Sequence, residues 1–124
     1  MNQTAEINGS AKRVRVYIGE SDRWKGQALY TAIVQAARAA GLAGATVLRG
    51  IEGFGAASTI HTARILRLSE DLPILIEIVD TPDRLDAFLP DLLPMVGGGL
   101  VTVDEVQVLH YHSGEAGEGS QIEN

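Results

Sequence analysis

The residues best suited to chemistry cluster in the middle of the chain. His61, Arg64 and Arg67 fall within a seven-residue window, and with Arg49 they form a basic group in an otherwise acidic protein. A guanidinium presents a planar fork of donors that matches a phosphate or carboxylate, so this group suits an anionic ligand or an acidic partner surface. A plainer alternative is that Arg64 and Arg67 solvate a loop or short helix. The run Arg49-Gly50-Ile51-Glu52-Gly53-Phe54-Gly55 reads as one wall of a cleft, with glycines that admit close backbone approach and Arg49 as the positive fork; the alternative is a bulged strand end. Gly97, Gly98 and Gly99 read first as a helix stop and second as backbone donors for a phosphate.

Two further groups carry less. Glu20-Ser21-Asp22-Arg23-Trp24 sets polar side chains beside the sole tryptophan, which fits a binding rim and equally a capped turn whose Trp24 closes the core. His110 and His112, at i and i+2 of a strand, point to the same side, but no third ligand accompanies them and a solvated edge strand is the simpler reading. No metal site is expected. Nor is a catalytic constellation: Ser58, Ser69, His61 and Asp71 lack a strand-to-helix nucleophile elbow, and no Walker or dinucleotide fingerprint is present.

Composition narrows the classes. With 124 residues the chain is the size of one domain. It contains no cysteine, which rules out disulfides, thiolate metal ligation and cysteine nucleophiles. A net charge of −6 disfavours nucleic acid and anionic membrane surfaces as partners. The N-terminus has no basic start followed by an apolar run, and no stretch approaches the roughly 18 apolar residues of a membrane span, so a cytoplasmic location is expected. Residues 1–12, rich in polar and small side chains, and 113–124, with three glycines and three glutamates, are expected to be disordered tails around a domain at 13–112.

Elements that position these groups follow from periodicity. Residues 13–18 alternate, with Val14, Val16 and Ile18 on one face and Arg13, Arg15 and Tyr17 on the other, which predicts a strand. Over 27–40, Leu29, Ile33, Ala36, Ala37 and Ala40 form an apolar stripe and Gly41 suits a left-handed C-terminal cap, predicting a helix. A second strand is expected at 45–49, running into a long loop that reaches Arg67, and a third at 74–80, where only Glu77 interrupts the apolar run before Asp80. Thr81-Pro82 opens a second helix with Leu85, Phe88, Leu89, Leu92 and Val96 on one face, kinked or broken near Leu89 by Pro90 and Pro94. The last strand spans 101–103 and 106–111, with a turn at Asp104-Glu105.

The order βαββαβ predicts an α+β, ferredoxin-like domain: a four-stranded antiparallel sheet with two helices on one face. Its other face would show Arg15, Tyr17, Leu75, Glu77 and Val79, too apolar to stay in water, so oligomerisation through it is expected. Arg15 and Glu77 are candidates for a cross-strand pair there.

Three segments resemble an uncharacterised bacterial family of the PII-like group: residues 17–24 (YIGESDRW), 44–50 (GATVLRG) with Gly53-Phe54-Gly55, and 68–73 (LSEDLP). The likeness extends over about residues 13–111 and implies a ferredoxin-like protomer, assembled as a homotrimer, with a loop between the second and third strands that reports on ligand state. To the nitrogen-regulatory PII proteins proper the chain is similar only in element order and in the turn Gly53-Phe54-Gly55. Those proteins have a basic glycine-rich loop before the last strand, where this chain has Gly97-Gly98-Gly99 without Lys or Arg, and no tyrosine occurs in 56–67.

The resulting expectation is a non-enzymatic signalling protein. A small anionic effector, for which an adenine nucleotide is the candidate, would bind between subunits at Arg49, Glu52, Gly53, Phe54, Gly55, His61 and Arg64. It would switch the 55–67 loop for binding to a partner protein. A ligand-free oligomeric scaffold and a small-molecule enzyme are the alternatives.

Overall fold

The structure is a computed structural model that describes Ile7 and residues 9–55 and 71–112. His61, Arg64, nearly all of the expected switch loop, and residues 1–6, 8 and 113–124 lie outside the described residues. Strand β1 (Gly9–Gly19) begins earlier than its alternating core, taking in residues assigned to the N-terminal tail. A short hairpin of β2 (Arg23–Trp24) and β3 (Gln27–Ala28) follows, where only a polar connection is expected. Lys25 and Gly26 at its tip both have positive φ (47° and 87°), the combination of a primed turn whose twist matches that of the strands it joins. Lys25 Nζ lies 5.3 Å from the centre of the Trp24 ring, and Trp24 itself packs against the core.

Helix α1 (Leu29–Ala39) therefore starts two residues later than the expected boundary at Gln27. It ends as its sequence predicts: Gly41 has φ 79°, Leu42 N–H donates to Ala37 O at 3.1 Å and Gly41 N–H to Arg38 O at 3.0 Å, the paired bonds of a left-handed cap. Strand β4 (Thr46–Arg49) and strand β5 (Pro73–Asp80) come next, followed by α2 (Pro82–Leu92). Thr81 Oγ1 caps α2 by accepting from Arg84 N–H at 3.3 Å.

Of the two outcomes expected near Leu89, a kink or a break, the break does not occur. Pro90 sits inside α2, and the helix gives way only beyond Leu92 to a 3-10 turn, Leu93–Met95. Pro90 and Asp86, whose carbonyl loses its partner, are both exposed, so water can satisfy that carbonyl and the helix continues. The expected turn at Asp104-Glu105 is also absent, because β6 (Leu100–Val108) runs unbroken. Both acidic residues stay in register opposite cations of β1, Asp104 with Arg13 and Glu105 with Lys12.

The sheet order is β4-β5-β1-β6, with every neighbouring pair antiparallel. The core lies between one sheet face and the helices: Val14, Val16, Ile18, Ile74, Ile76 and Ile78 meet Leu29, Ile33, Ala37, Leu85, Phe88 and Leu92. Phe88 is the single aromatic among them, so the layer is close-packed by aliphatic side chains. One charged residue is enclosed with them. Asp80, 0% exposed, accepts from Ala43 N–H (2.8 Å) and Thr81 N–H (2.7 Å), with Arg84 Nη1 at 3.5 Å. It thereby ties the segment after α1 to the junction of β5 and α2.

Among the described residues no helix covers the other sheet face. Register places Arg15 opposite Glu77, and the expected pair forms at 2.9 Å. Arg13 and Asp104 pair at 2.6 Å on the same face. Next to these polar rows runs an apolar one across all four strands, Leu48–Leu75–Tyr17–Leu100, in which Leu48 and Leu100 are more than half exposed (52% and 55%).

The Arg13 guanidinium, by hydrogen bonding, holds the Asp104 carboxyl below its ordinary value of 3.8, and Asp104 raises Arg13 in turn. A carboxyl depressed in the folded state adds stability that is complete above its ordinary value and is lost as pH falls through the depressed one. Asp104→Asn is therefore expected to be slightly less stable than wild type at about pH 7, as befits a solvent-facing pair. The gap should narrow as pH falls below 3.8 and close once pH is below the depressed value. Urea denaturation of both proteins across that range checks this; a gap that persists in acid would contradict it.

Candidate functional site

Three connections converge at the sheet end where β1 finishes and β6 begins: residues 19–22 after β1, 50–55 after β4, and 97–99 before β6. The first is shaped by carboxylates. Asp22 Oδ2 accepts from Gly19 N–H at 3.0 Å, while Asp71 Oδ1 accepts from both Ser21 N–H (3.0 Å) and Ser21 Oγ (2.9 Å). Glu20 N–H donates to Leu72 O at 2.8 Å, and Leu29 N–H to Asp22 O at 2.8 Å, so the turn is joined both to the start of β5 and to the start of α1. Arg49 Nη2 meets Glu20 Oε2 at 2.6 Å and adds β4 to the same turn.

The second connection leaves β4 through Gly50, whose N–H donates to Pro73 O at 2.7 Å. Phe54 beyond it is 86% exposed. The third is constrained by close packing. A Cβ on Gly99 would overlap the Tyr17 carbonyl oxygen and stand 2.9 Å from Ile18 Cγ2 and from Val96 Cγ1. Only glycine lets this segment lie so close to β1.

Between the three connections is a cavity of about 390 Å³. It is lined by Gly53, Phe54 and Gly55, by Gly98, Gly99 and Leu100, and by Tyr17, Ile18, Gly19, Pro73 and the carboxylate residues Asp22 and Asp71. Its make-up, largely apolar with a few polar groups, is that of a small-molecule site.

Of the expected site residues, Gly53, Phe54 and Gly55 come together in this cavity. Arg49 is not among its lining and points its guanidinium at Glu20; Glu52 is exposed and also outside the lining. His61 and Arg64 fall outside the described residues. Gly98 and Gly99 do more than stop a helix, since both line the cavity. Sequence reasoning missed Tyr17 and Leu100 as site residues, although Tyr17 was placed on the open face. It also missed Asp71, whose link to Ser21 spans fifty positions.

A second cavity, of about 420 Å³, opens at the other end of the same sheet face, where Glu77, Val79 and Val108 meet Ile7, Thr46 and His110. Nearby, Tyr111 Oη donates to Ala43 O at 3.4 Å. Among the described residues no group of three or more His, Asp or Glu side chains is arranged to hold a metal ion, and no helix is long and apolar enough to cross a membrane.

This sheet order under two helices is the fold of nitrogen regulatory PII-like proteins. The chain superposes on CPII from Thiomonas intermedia K12, in its complex with ADP, AMP and acetate, with a TM-score of 0.58 and 16% identity, over 86% of this chain and 92% of that one. Against CPII bound to ADP and bicarbonate the TM-score is 0.54 at 19% identity, over 80% of this chain and 88% of that one. The likeness at these identities is one of fold. By sequence the chain belongs to the DUF190 family, described as Uncharacterized ACR, COG1993, which it matches over residues 11–108. It is 33% identical over 109 residues to a UPF0166 protein of Methanocaldococcus jannaschii, covering 87% of this chain and 97% of that protein. With a UPF0166 protein of Aquifex aeolicus it shares 30% identity over 99 residues, 80% of this chain and 93% of that protein. The expected membership of an uncharacterised family is thus borne out.

Proposed function

We propose that the protein is a cytoplasmic, non-enzymatic PII-like regulator, a homotrimer that binds an adenine nucleotide beside the cavity at residues 53–55 and 98–100. The observation that carries this reading is the place of the cavity, where the segment entering 55–67 meets the glycine segment before β6. A ligand held there touches the base of the loop, and its unequal affinity for two loop states sets which one is populated. That CPII, a protein of the same fold, is bound to ADP and AMP supports the ligand class.

Assembly uses the open sheet face. Leu48, Leu75, Tyr17 and Leu100 form an apolar row that a partner subunit would cover, and Tyr17 and Leu100 also line the cavity, so the site adjoins the interface. Arg49, Glu52, His61 and Arg64 complete the cleft around Gly53, Phe54 and Gly55, with the two arginines taking the phosphates. The 55–67 loop then presents or withdraws a surface for a partner protein.

Hydrogen exchange with and without ADP tests this. Amides of 55–67 and 97–99 are expected to gain protection, and Arg49→Ala with Arg64→Ala to weaken ADP binding by about tenfold or more, the worth of a charge-assisted hydrogen bond. Unchanged exchange together with no ADP binding would leave the protein a ligand-free scaffold.

A further inference from the structure

We infer that the cavity receives the uncharged, hydrogen-donating part of the effector, the purine base or its ribose, and that Asp22 and Asp71 keep phosphate out of it. The inference rests on the nucleotide reading above and reverses the simplest version of it, in which the glycine-rich lining cradles the phosphates.

Among the described residues the charged side chains lining the cavity are both carboxylates, Asp22 and Asp71. An ionised carboxylate only accepts hydrogen bonds, and a phosphate brought beside two of them meets like charge with no donor from either. An exocyclic amine or a ribose hydroxyl meets an acceptor instead. The carboxylates are held in place by what they already bind. Asp22 Oδ2 takes Gly19 N–H, and Asp71 Oδ1 takes both donors of Ser21. They are fixed features of the site, not long side chains free to swing aside.

The remaining lining suits a flat ring. Tyr17 and Phe54 offer aromatic surface, and Ile18, Pro73 and Leu100 aliphatic surface, while Gly53 and Gly99 leave room for close approach. Stacking on such side chains recognises a base without reading its charge. Arg49, at the end of β4, is outside the lining, on the Glu20 side of the turn. Phosphates reaching from a base in the cavity toward cations beyond it therefore leave the acidic lining behind.

Calorimetric titration of the full chain with adenosine, ADP and inorganic pyrophosphate tests the assignment, using wild type, Asp71→Asn and Phe54→Ala. Asn retains the oxygen that holds Ser21, and Phe54 is too exposed for its loss to unfold the protein. Adenosine is expected to compete with ADP, whereas pyrophosphate is not expected to displace adenosine. Each variant should weaken adenosine and ADP by the same factor, about tenfold, because the lost contact lies on the part they share. Tighter ADP binding in Asp71→Asn with adenosine unchanged, or displacement of adenosine from wild type by pyrophosphate, would put phosphate in the cavity and overturn the inference while leaving nucleotide binding intact. Failure of wild type to bind any adenine compound would overturn the nucleotide reading and this inference with it.

Discussion

Asp80→Ala is expected to lower the unfolding free energy by about 3 kcal/mol, the loss of two well-made hydrogen bonds to buried backbone donors at roughly 1–3 kcal/mol each, partly relieved by relaxation. Asp80 is fully enclosed, and its two oxygens hold Ala43 N–H and Thr81 N–H, which belong to connections on either side of the sheet end. Alanine removes both acceptors and leaves the donors facing an apolar gap. Arg84, which keeps much of its exposure, loses a partner but can turn to water. Against a typical domain stability of about 5–15 kcal/mol the change is large, and for a chain of this size it corresponds to a fall in Tm of roughly 10–20 °C. Asp80→Asn, which keeps one acceptor, should fall between. Thermal denaturation at fixed protein concentration measures it, since assembly makes Tm depend on concentration. A loss under about 1 kcal/mol for the alanine variant would show that these bonds contribute little beyond what water supplies.

Gly99→Val is expected to damage both fold and site. The new side chain would overlap the Tyr17 carbonyl, a backbone atom of the central strand β1 that no rotamer change can move. Either β1 yields or the 97–99 segment lifts away, at about 1–3 kcal/mol for an overpacked position. The segment is the less supported of the two and should move, carrying Gly98 and Leu100 out of the cavity lining. Nucleotide affinity should drop by at least about tenfold, since displaced lining residues lose their contacts with the ligand. Gly97→Ala is the control: a Cβ there meets nothing within 4 Å, so stability and binding should stay near wild type. Equal effects of the two substitutions would mean that the close approach of Gly99 is not what shapes the site.

Much of the scaffold is legible from local pattern. The alternation in β1 and β5 places Val14, Val16, Ile76 and Ile78 in the core, Gly41 announces the end of α1, and Thr81-Pro82 announces the start of α2. Strand order then brings Arg15 to Glu77. The misses arise where tertiary context overrides a local signal. Lys25 takes positive φ at the tip of β2 and β3, a conformation that its residue type does not advertise. Pro90 is tolerated because its side of α2 faces water, and Asp104-Glu105 continues β6 because Arg13 and Lys12 of β1 lie opposite.

The site was legible only in part, for a related reason. Gly53, Phe54 and Gly55 stand out as a motif and do line the cavity, but the other walls come from β1, from the glycine segment leading into β6 and from Asp71, distant in sequence. Residue type marks Arg49 as an anion ligand, whereas the fold gives it Glu20 at 2.6 Å. Likewise nothing local distinguishes Asp80, a buried anchor, from an ordinary polar strand end.

The central claim, a trimer with an adenine nucleotide at each cleft, is tested most directly by native mass spectrometry of the full chain with and without ADP and AMP. The predicted result is a trimer that takes up as many as three equivalents of one nucleotide, with no turnover of the bound compound. A trimer that stays bare throughout would contradict the sensor reading, and a monomer would remove the assembly on which the cleft depends.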